Sequence, residues 1–297
     1  EKTAVALCYT SGTTGNPKGV LYTHRGMVLH AIAGTSSDHP LCISSRTVLL
    51  PAVSMFHVHG WMAPYAAPIS GTKLVLPGPN MHGDNICRLL EEEKVTVTAG
   101  VPTIWIDVLQ HLKKTGGRLD TLEICNIGGS APSISMIKTF EEEYDVHVVH
   151  AWGMTELSAA GSTGRLRKLH QDLPAEERYK VQQTQGRPLF GIEFKICDDQ
   201  GNRLPHDGKA IGQMFVRGPW VCGAYFEDAE ATAAAFDDEG WFGTGDVASI
   251  TPDGLIRVSD RSKDLIKSGG EWISSIDLEN YALAHPDVVE AAAIAIK

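Results

Sequence analysis

No apolar run in the 297 residues comes near the roughly 18 that a membrane-spanning helix needs, and the N-terminus has neither the basic nor the apolar region of a signal peptide. Paired cysteines are missing too: Cys8, Cys42, Cys87, Cys125, Cys197 and Cys222 are scattered, with no C-x-x-C and no zinc-like spacing. A reduced, cytoplasmic chain is the simplest reading. Positive charge is in deficit, with 26 Lys and Arg against 36 Asp and Glu and a net charge of −10. That balance argues against nucleic acid or anionic lipid as a partner, so any phosphate chemistry has to rest on local features. Two nucleotide fingerprints are also lacking. No G-x-G-x-x-G follows a strand, and the P-loop spacing counted from Gly12 puts Pro17 where its second Gly belongs and Gly19 where its hydroxyl belongs. A starting Met is absent as well. The chain opens with EKTAVALCYTSG, already inside an apolar strand-like run, and is expected to be a fragment of a longer protein.

What is present begins with organisation. The length suggests about two domains at roughly 150 residues each, and 43% hydrophobic content is ample for a buried core. Short Val, Ile and Leu runs alternate with helical stretches: AVALCY, a helix in HRGMVLHAIAG, TVLLPAV, a helical GWMAPYAAPI, TKLVLPG, the helix DNICRLLEEEK, VTVTAG, a helix opened by Pro102, LEICNIGG, and the helix APSISMIKTFEEEY. The alternation predicts parallel sheets with helical crossovers. EEEK at 91–94 and EEEY at 141–144 read as solvated helix faces. From about Gly186 the texture changes to IEFKICDDQGNRL, GQMFVRG and LIRVSD with Asp-Gly turns, a β-rich, barrel-like region. After Asp260-Arg261 a Gly-Gly turn leads to the helix SSIDLENYALAH. The expected organisation is thus an α/β fold: layered parallel sheets with helices over 1–185, a β-rich subdomain over 186–259, and the start of a small, mobile C-terminal α+β domain over 260–297.

The stretch YTSGTTGNPKGV, Tyr9 to Val20, packs hydroxyls, glycines and one lysine into a loop after a strand. Glycine lets backbone N–H groups close on an anion, and Ser, Thr and Lys add contacts to phosphate oxygens. A plain surface loop of small polar residues does not account for that combination. The loop resembles the phosphate-loop signature TSGTTGxPKG of the adenylate-forming enzymes, which include acyl-CoA synthetases, luciferases and peptide-synthetase adenylation domains; Thr10 to Gly19 matches throughout. By that resemblance Thr10, Ser11, Gly12, Thr13, Thr14, Gly15 and Lys18 bind the nucleotide phosphates.

Further segments extend the resemblance over essentially the whole chain. HAWGMTELS at 150–158 is similar to the segment whose aromatic flanks adenine, whose Thr meets the α-phosphate and whose Glu holds Mg²⁺; His150, Ala151, Trp152, Gly153, Thr155 and Glu156 fall there. Ser11 is a further candidate metal ligand. As residues alone, WGMTE also reads as a helix start. GGSAP puts Gly128 and Gly129 after a strand, where backbone approaches the acyl-adenylate or simply turns tightly. In WFGTGD, Asp246 takes the ribose hydroxyls by resemblance, or closes a β-turn. SDRSKDLIKSGGEWIS resembles the junction on which the small domain swings: Arg261 would reach the ribose, Lys263 sits at the hinge, and Lys267 and Trp272 lie near the nucleotide. In SMFHVHGW the resemblance sets His57 and Val58 beside the acyl-adenylate, with Trp61 one helical turn after His57 facing the acyl pocket; core packing is the alternative for Trp61, and H-x-H lacks a third metal ligand.

The resemblance is strongest to fatty-acid and methylthio-propionate CoA ligases. It implies two steps: a carboxylate attacks the α-phosphorus of ATP with release of pyrophosphate, and the thiol of coenzyme A then displaces AMP. ATP, Mg²⁺ and coenzyme A are the implied cofactor and substrates, with Lys18, His57, Thr155 and Glu156 carrying catalysis. Similar fatty-acyl enzymes are often dimers, so a homodimer is expected. Competing readings are an aryl-CoA ligase or luciferase-like enzyme, a carrier-protein-loading adenylation module, and an inactive nucleotide-binding fragment. By the resemblance, the family's adenylation lysine near the C-terminus is expected well beyond residue 297, and Lys297 lacks its context. The isolated chain is expected to bind nucleotide weakly and adenylate poorly.

Overall fold

The computed structural model describes residues 3–10, 16–261, 266–268, 271–273, 275–283, 288 and 291–293. Internal contacts divide the chain into two compact units, Glu1–Ile192 with Gly218–Ala234, and Glu193–Arg217 with Ala235–Lys297.

In the first unit, β1 (Ala4–Tyr9) and β2 (Gly19–Thr23) form an antiparallel hairpin in which Tyr9 faces Gly19 and Cys8 faces Val20. The alternation had placed AVALCY in a parallel sheet. It cannot lie there beside β2, because the loop between them is shorter than the crossover of about a dozen residues that parallel pairing needs. The parallel sheet proper follows: β3 (Val48–Ala52), β4 (Lys73–Leu74), β5 (Val97–Gly100), β6 (Ile124–Ile127) and β7 (His147–His150), in the order β4-β3-β5-β6-β7. Strands β5 and β6 are buried at every residue, as expected of strands covered on both faces. Helices Gly83–Glu92 and Pro102–Thr115 make the crossovers, the second opened by Pro102, whose missing N–H costs nothing at a helix start. Trp105, Val108 and Leu112 share the buried face of that helix, and Trp105 meets Phe140 edge to face at 6.4 Å.

The helix expected across APSISMIKTFEEEY is not uniform. It is α-helical over Ile134–Lys138 and widens to a π-helix over Thr139–Glu143. The widening turns Glu141 inward, where it accepts from His147 Nδ1 at 3.0 Å, from the Val148 N–H at 3.4 Å and from Gln182 Nε2. Glu141 is therefore not on a solvated face, although Glu142 and Glu143 are. Burial pushes its carboxyl up, but the bonds from His147, Gln182 and Val148 outweigh that and hold it below the usual range.

Two short ribbons complete the first unit: β8 (Gly153–Met154) with β9 (Ala159–Ala160), and β10 (Ser162–Thr163) with β11 (Arg187–Pro188). The second unit is a meander of β12 (Glu193–Cys197), β13 (Gly212–Arg217), β14 (Phe242–Ile250) and β15 (Ile256–Arg261), all antiparallel, where the β-rich texture is read in the sequence. Its buried Trp241 is ringed by Arg217 at 4.4 Å, Lys195 at 5.0 Å and Arg203 at 5.5 Å, and Lys195 is neutralised by Asp237 at 2.6 Å. A hairpin of β16 (Ile266–Ser268) and β17 (Glu271–Ile273) and the helix Ser275–Leu283 follow; Gly269 and Gly270 lie outside the described residues. Among the described residues, no helix is long and apolar enough to cross a membrane.

Trp105 fills the centre of the first unit's core at 0% exposure. Trp105→Ala is expected to cost about 3–5 kcal/mol of unfolding free energy, read from denaturant midpoints. A loss under about 1 kcal/mol would mean that the core collapses around the gap.

Candidate functional site

Thr10 and Lys18 close the neck of the opening loop: the Thr10 N–H donates to Lys18 O at 2.9 Å, and the Lys18 N–H donates to Thr10 Oγ1 at 3.0 Å. Ser11, Gly12, Thr13, Thr14 and Gly15 lie outside the described residues. Lys18 is exposed, and its ammonium sits 4.9 Å from the centre of the Tyr225 ring.

The hydroxyl of the same Tyr225 donates to Glu156 Oε1 at 2.7 Å. Glu156 is 6% exposed and, among the described residues, has no ion pair. Its carbonyl accepts from the Cys222 N–H at 2.7 Å, and the neighbouring Thr155 carbonyl accepts from the Tyr22 hydroxyl at 2.6 Å. The Thr155–Leu157 turn is thus gripped from β2 on one side and from residues 222–225 on the other. Burial, reinforced by the Glu156 charge, pushes the Tyr225 phenol far above its usual value, so it remains a donor. Burial likewise raises Tyr22, with the nearby Cys8 as the next cause.

Trp152 is half-buried, its carbonyl accepting from Gly161 at 2.9 Å and Ser162 at 3.1 Å, which folds β9 and β10 back on the segment. Gly153 belongs where it stands because a Cβ there would fall 1.5 Å from Ala159 O. His150 is buried and donates through Nδ1 to Gln183 O at 2.9 Å. Gly128 sits in close quarters: a Cβ would lie 3.1 Å from both Trp61 Cη2 and Ala151 O. The fold therefore brings Trp61, Gly128 and Ala151 together, with Gly129 next in the chain at φ +82.

Trp61 reaches that position by an unexpected backbone. The helical turn read after His57 is left-handed, with φ of 42 at Val58, 49 at His59, 57 at Gly60, 53 at Trp61 and 66 at Met62; the right-handed helix starts only at Ala63. Each non-glycine residue there costs roughly 1–2 kcal/mol, so surrounding contacts must hold the turn. His59 supplies them. Its Nε2 lies 3.3 Å from Cys8 Sγ, its Nδ1 lies 3.3 Å from the Tyr65 hydroxyl, and its ring meets Tyr22 edge to face at 5.1 Å. Both ring nitrogens are thereby engaged, which removes His59 from any H-x-H metal pair. Val58 and Met62 are buried, whereas His57 is exposed.

In the second unit, the β14–β15 register sets Asp246 and Arg261 directly opposite each other, and Lys267 faces Trp272 across β16 and β17. Lys263 lies outside the described residues. Sequence reasoning missed Tyr22, Tyr225 and the Cys8–His59 contact. Tyr22 stands four residues beyond Lys18, close enough to the loop to have been considered. Tyr225 lies 69 positions from Glu156 and carries no local signal.

The AMP-binding enzyme family matches residues 1–226. The chain is 51% identical over 296 residues to the 3-methylmercaptopropionyl-CoA ligase of Ruegeria lacuscaerulensis, covering 100% of the chain and 54% of that protein. It is 47% identical over 297 residues to the medium-chain-fatty-acid–CoA ligase of Ectopseudomonas oleovorans, with the same coverage of 100% and 54%. Among solved structures, the O-succinylbenzoate coenzyme A synthetase of Bacillus subtilis in complex with ATP and a magnesium ion aligns with a TM-score of 0.83 at 30% identity, covering 98% of this chain and 57% of that one. The chain spans about half the length of the curated relatives it matches.

His150 gives the site region a measurable pH dependence. Burial lowers its pKa to about 4, so the native state excludes a proton that the unfolded chain takes up below its ordinary value near 6.5. The stability tied to its neutral form is complete above pH 6.5 and drains as pH falls towards 4, by about 3 kcal/mol in all. His150→Gln, which keeps a donor for Gln183 O, is expected to flatten the fall in denaturant midpoint over that window. An unchanged slope would place the titration elsewhere.

Proposed function

The chain belongs to the AMP-binding enzymes, and on that footing we propose that the protein activates a carboxylic acid with ATP to an acyl-adenylate and passes the acyl group to coenzyme A. The observation that carries the reading is the meeting of Lys18 and the buried Glu156 on one side chain, Tyr225, at the neck of the loop that resembles a phosphate cradle. The proposed substrate is aliphatic, a medium-chain or methylthio-substituted acid, supported by the names of the relatives at 51% and 47% identity.

The residues fit magnesium on their own chemistry. Glu156 is a hard-oxygen ligand, withdrawn from water, with no cation paired to it among the described residues and one oxygen already oriented by Tyr225. Glu156, with Ser11 as a further ligand, would hold the ion, which when bound neutralises phosphate charge. The chain's own groups do the rest. Thr10, Lys18 and the loop between them draw the triphosphate in, Thr155 meets the α-phosphate, and Trp152 flanks the adenine. Two anions must approach in line, so alignment and charge neutralisation contribute more than any covalent help. Trp61, Gly128 and Gly129 line the acyl side, with Val58 beside the acyl-adenylate and exposed His57 orienting the carboxylate. Asp246 and Arg261, opposite in register, take the ribose. Lys263, Lys267 and Trp272 belong to the junction over 260–297 that exchanges the adenylating pose for the thioester-forming one. A cytoplasmic location and a homodimer complete the proposal, the first supported by six free cysteines.

The test is AMP and pyrophosphate release with and without coenzyme A, across methylthio-propionate, C6 to C16 fatty acids, benzoates and cinnamates. Coenzyme A-dependent AMP release with one aliphatic class is expected, and Glu156→Gln should lower the rate about 100-fold, as losing one charge-stabilising contact does. Turnover confined to aryl acids would replace the substrate class. Pyrophosphate without acyl-CoA would shift the acceptor to a carrier protein, and no release with any acid would overturn the reading.

A further inference from the structure

Lys18 and Glu156 carry opposite charges and touch the same residue, yet Glu156 has no ion pair among the described residues. A buried carboxylate gains strongly from a cation, so something must keep the nearby ammonium from taking that place. Tyr225 is built to do it. Its O–H is a donor and satisfies the carboxylate, while the negative face of its ring attracts the ammonium. One side chain thereby engages both charges without joining them.

Tyr225 is itself held in place. It is 8% exposed, its N–H donates to Thr232 Oγ1 at 3.0 Å, and it bridges Val20 in antiparallel fashion. The next N–H, of Phe226, donates to Gly19 O at 2.7 Å. The exit of the phosphate loop and the aromatic that holds its lysine are therefore one hydrogen-bonded assembly. A flexible side chain could swing away and let the charges pair; the burial of Tyr225 and the main-chain bonds of Tyr225 and Phe226 oppose that.

We propose that Tyr225 is a positioning residue that keeps Lys18 and Glu156 apart, so that the ammonium is offered to phosphate and Glu156 Oε2 is offered to a divalent cation. This rests on the reading of the protein as an ATP-dependent carboxylate-activating enzyme. The two halves of the side chain then have separable tasks: the hydroxyl serves cation-dependent binding, and the ring serves phosphate binding whether or not a cation is present.

Two variants of the full chain separate those tasks. Tyr225→Phe keeps the ring over Lys18 and removes the hydroxyl; Tyr225→Leu removes both. Binding of manganese(II) with ATP is followed by electron paramagnetic resonance, and metal-free ATP binding by equilibrium dialysis. Tyr225→Phe is expected to weaken manganese(II)–ATP binding about tenfold, the scale of one hydrogen bond to a charged group, while metal-free ATP binding stays within roughly twofold. Tyr225→Leu should weaken both. Because Tyr225 acts through Glu156, adding Tyr225→Phe to Glu156→Gln should cost no further metal affinity. The proposal is overturned if Tyr225→Phe binds manganese(II)–ATP like the unaltered protein, or weakens metal-free ATP equally, as general loosening of the site would. If the unaltered protein binds ATP neither with metal nor without it, the reading as an ATP-dependent enzyme fails and takes the proposal with it.

Discussion

The site depends on a carboxylate taken out of water without a cation beside it among the described residues. Withdrawing such a charge costs several kcal/mol even after the surroundings relax, and a hydrogen bond to a charged group returns only about 1.5–3 kcal/mol. The Tyr225 hydroxyl bonds that carboxylate directly, while Tyr22 and the Cys222 N–H hold the main-chain carbonyls of Thr155 and Glu156. On the proposed reading, a cation arriving with a nucleotide would supply what the described residues do not. Ligand binding and stability are then coupled, because the folded state binds the ligand and the unfolded chain does not.

The same tyrosine cluster also bears on the turn at 58–62. Tyr22 donates to Thr155 through its hydroxyl and meets His59 with its ring, and His59 lies in the left-handed turn that carries Trp61 to Gly128. A strained turn of five residues with positive φ persists only where its neighbours over-determine it. Here the neighbours include Cys8 on the strand that enters the loop closed by Thr10 and Lys18. The geometry around Trp61 and Gly128 and that around Thr155 and Glu156 are therefore set by shared contacts within one compact unit.

Much of this was legible in the sequence, for physical reasons. Parallel strands buried on both faces must be short apolar runs, so β3, β5, β6 and β7 declare themselves, and Pro102 marks its helix because only a helix start tolerates the missing N–H. The loop Thr10–Gly19 and the segment 150–158 are local, each carrying its chemistry within a dozen residues. What stayed hidden was whatever tertiary contacts decide. The hairpin β1–β2 competes with a parallel placement that apolar content alone cannot reject. The π-helix at 139–143 forms because Glu141 finds His147 and Gln182, and the left-handed turn at 58–62 because His59 finds Cys8 and Tyr65. Tyr225 has no pattern of its own; its role exists only once the chain has folded Lys18 and Glu156 onto it.

Attack by a carboxylate oxygen on the α-phosphorus of ATP, the first step proposed for this protein, is tested most directly by isotope transfer. With a turned-over acid labelled with ¹⁸O in its carboxylate, mass spectrometry of the products should find one labelled oxygen in AMP and none in pyrophosphate. Label appearing in inorganic phosphate, with ADP as the co-product, would show attack at the γ-phosphorus instead and would contradict the account.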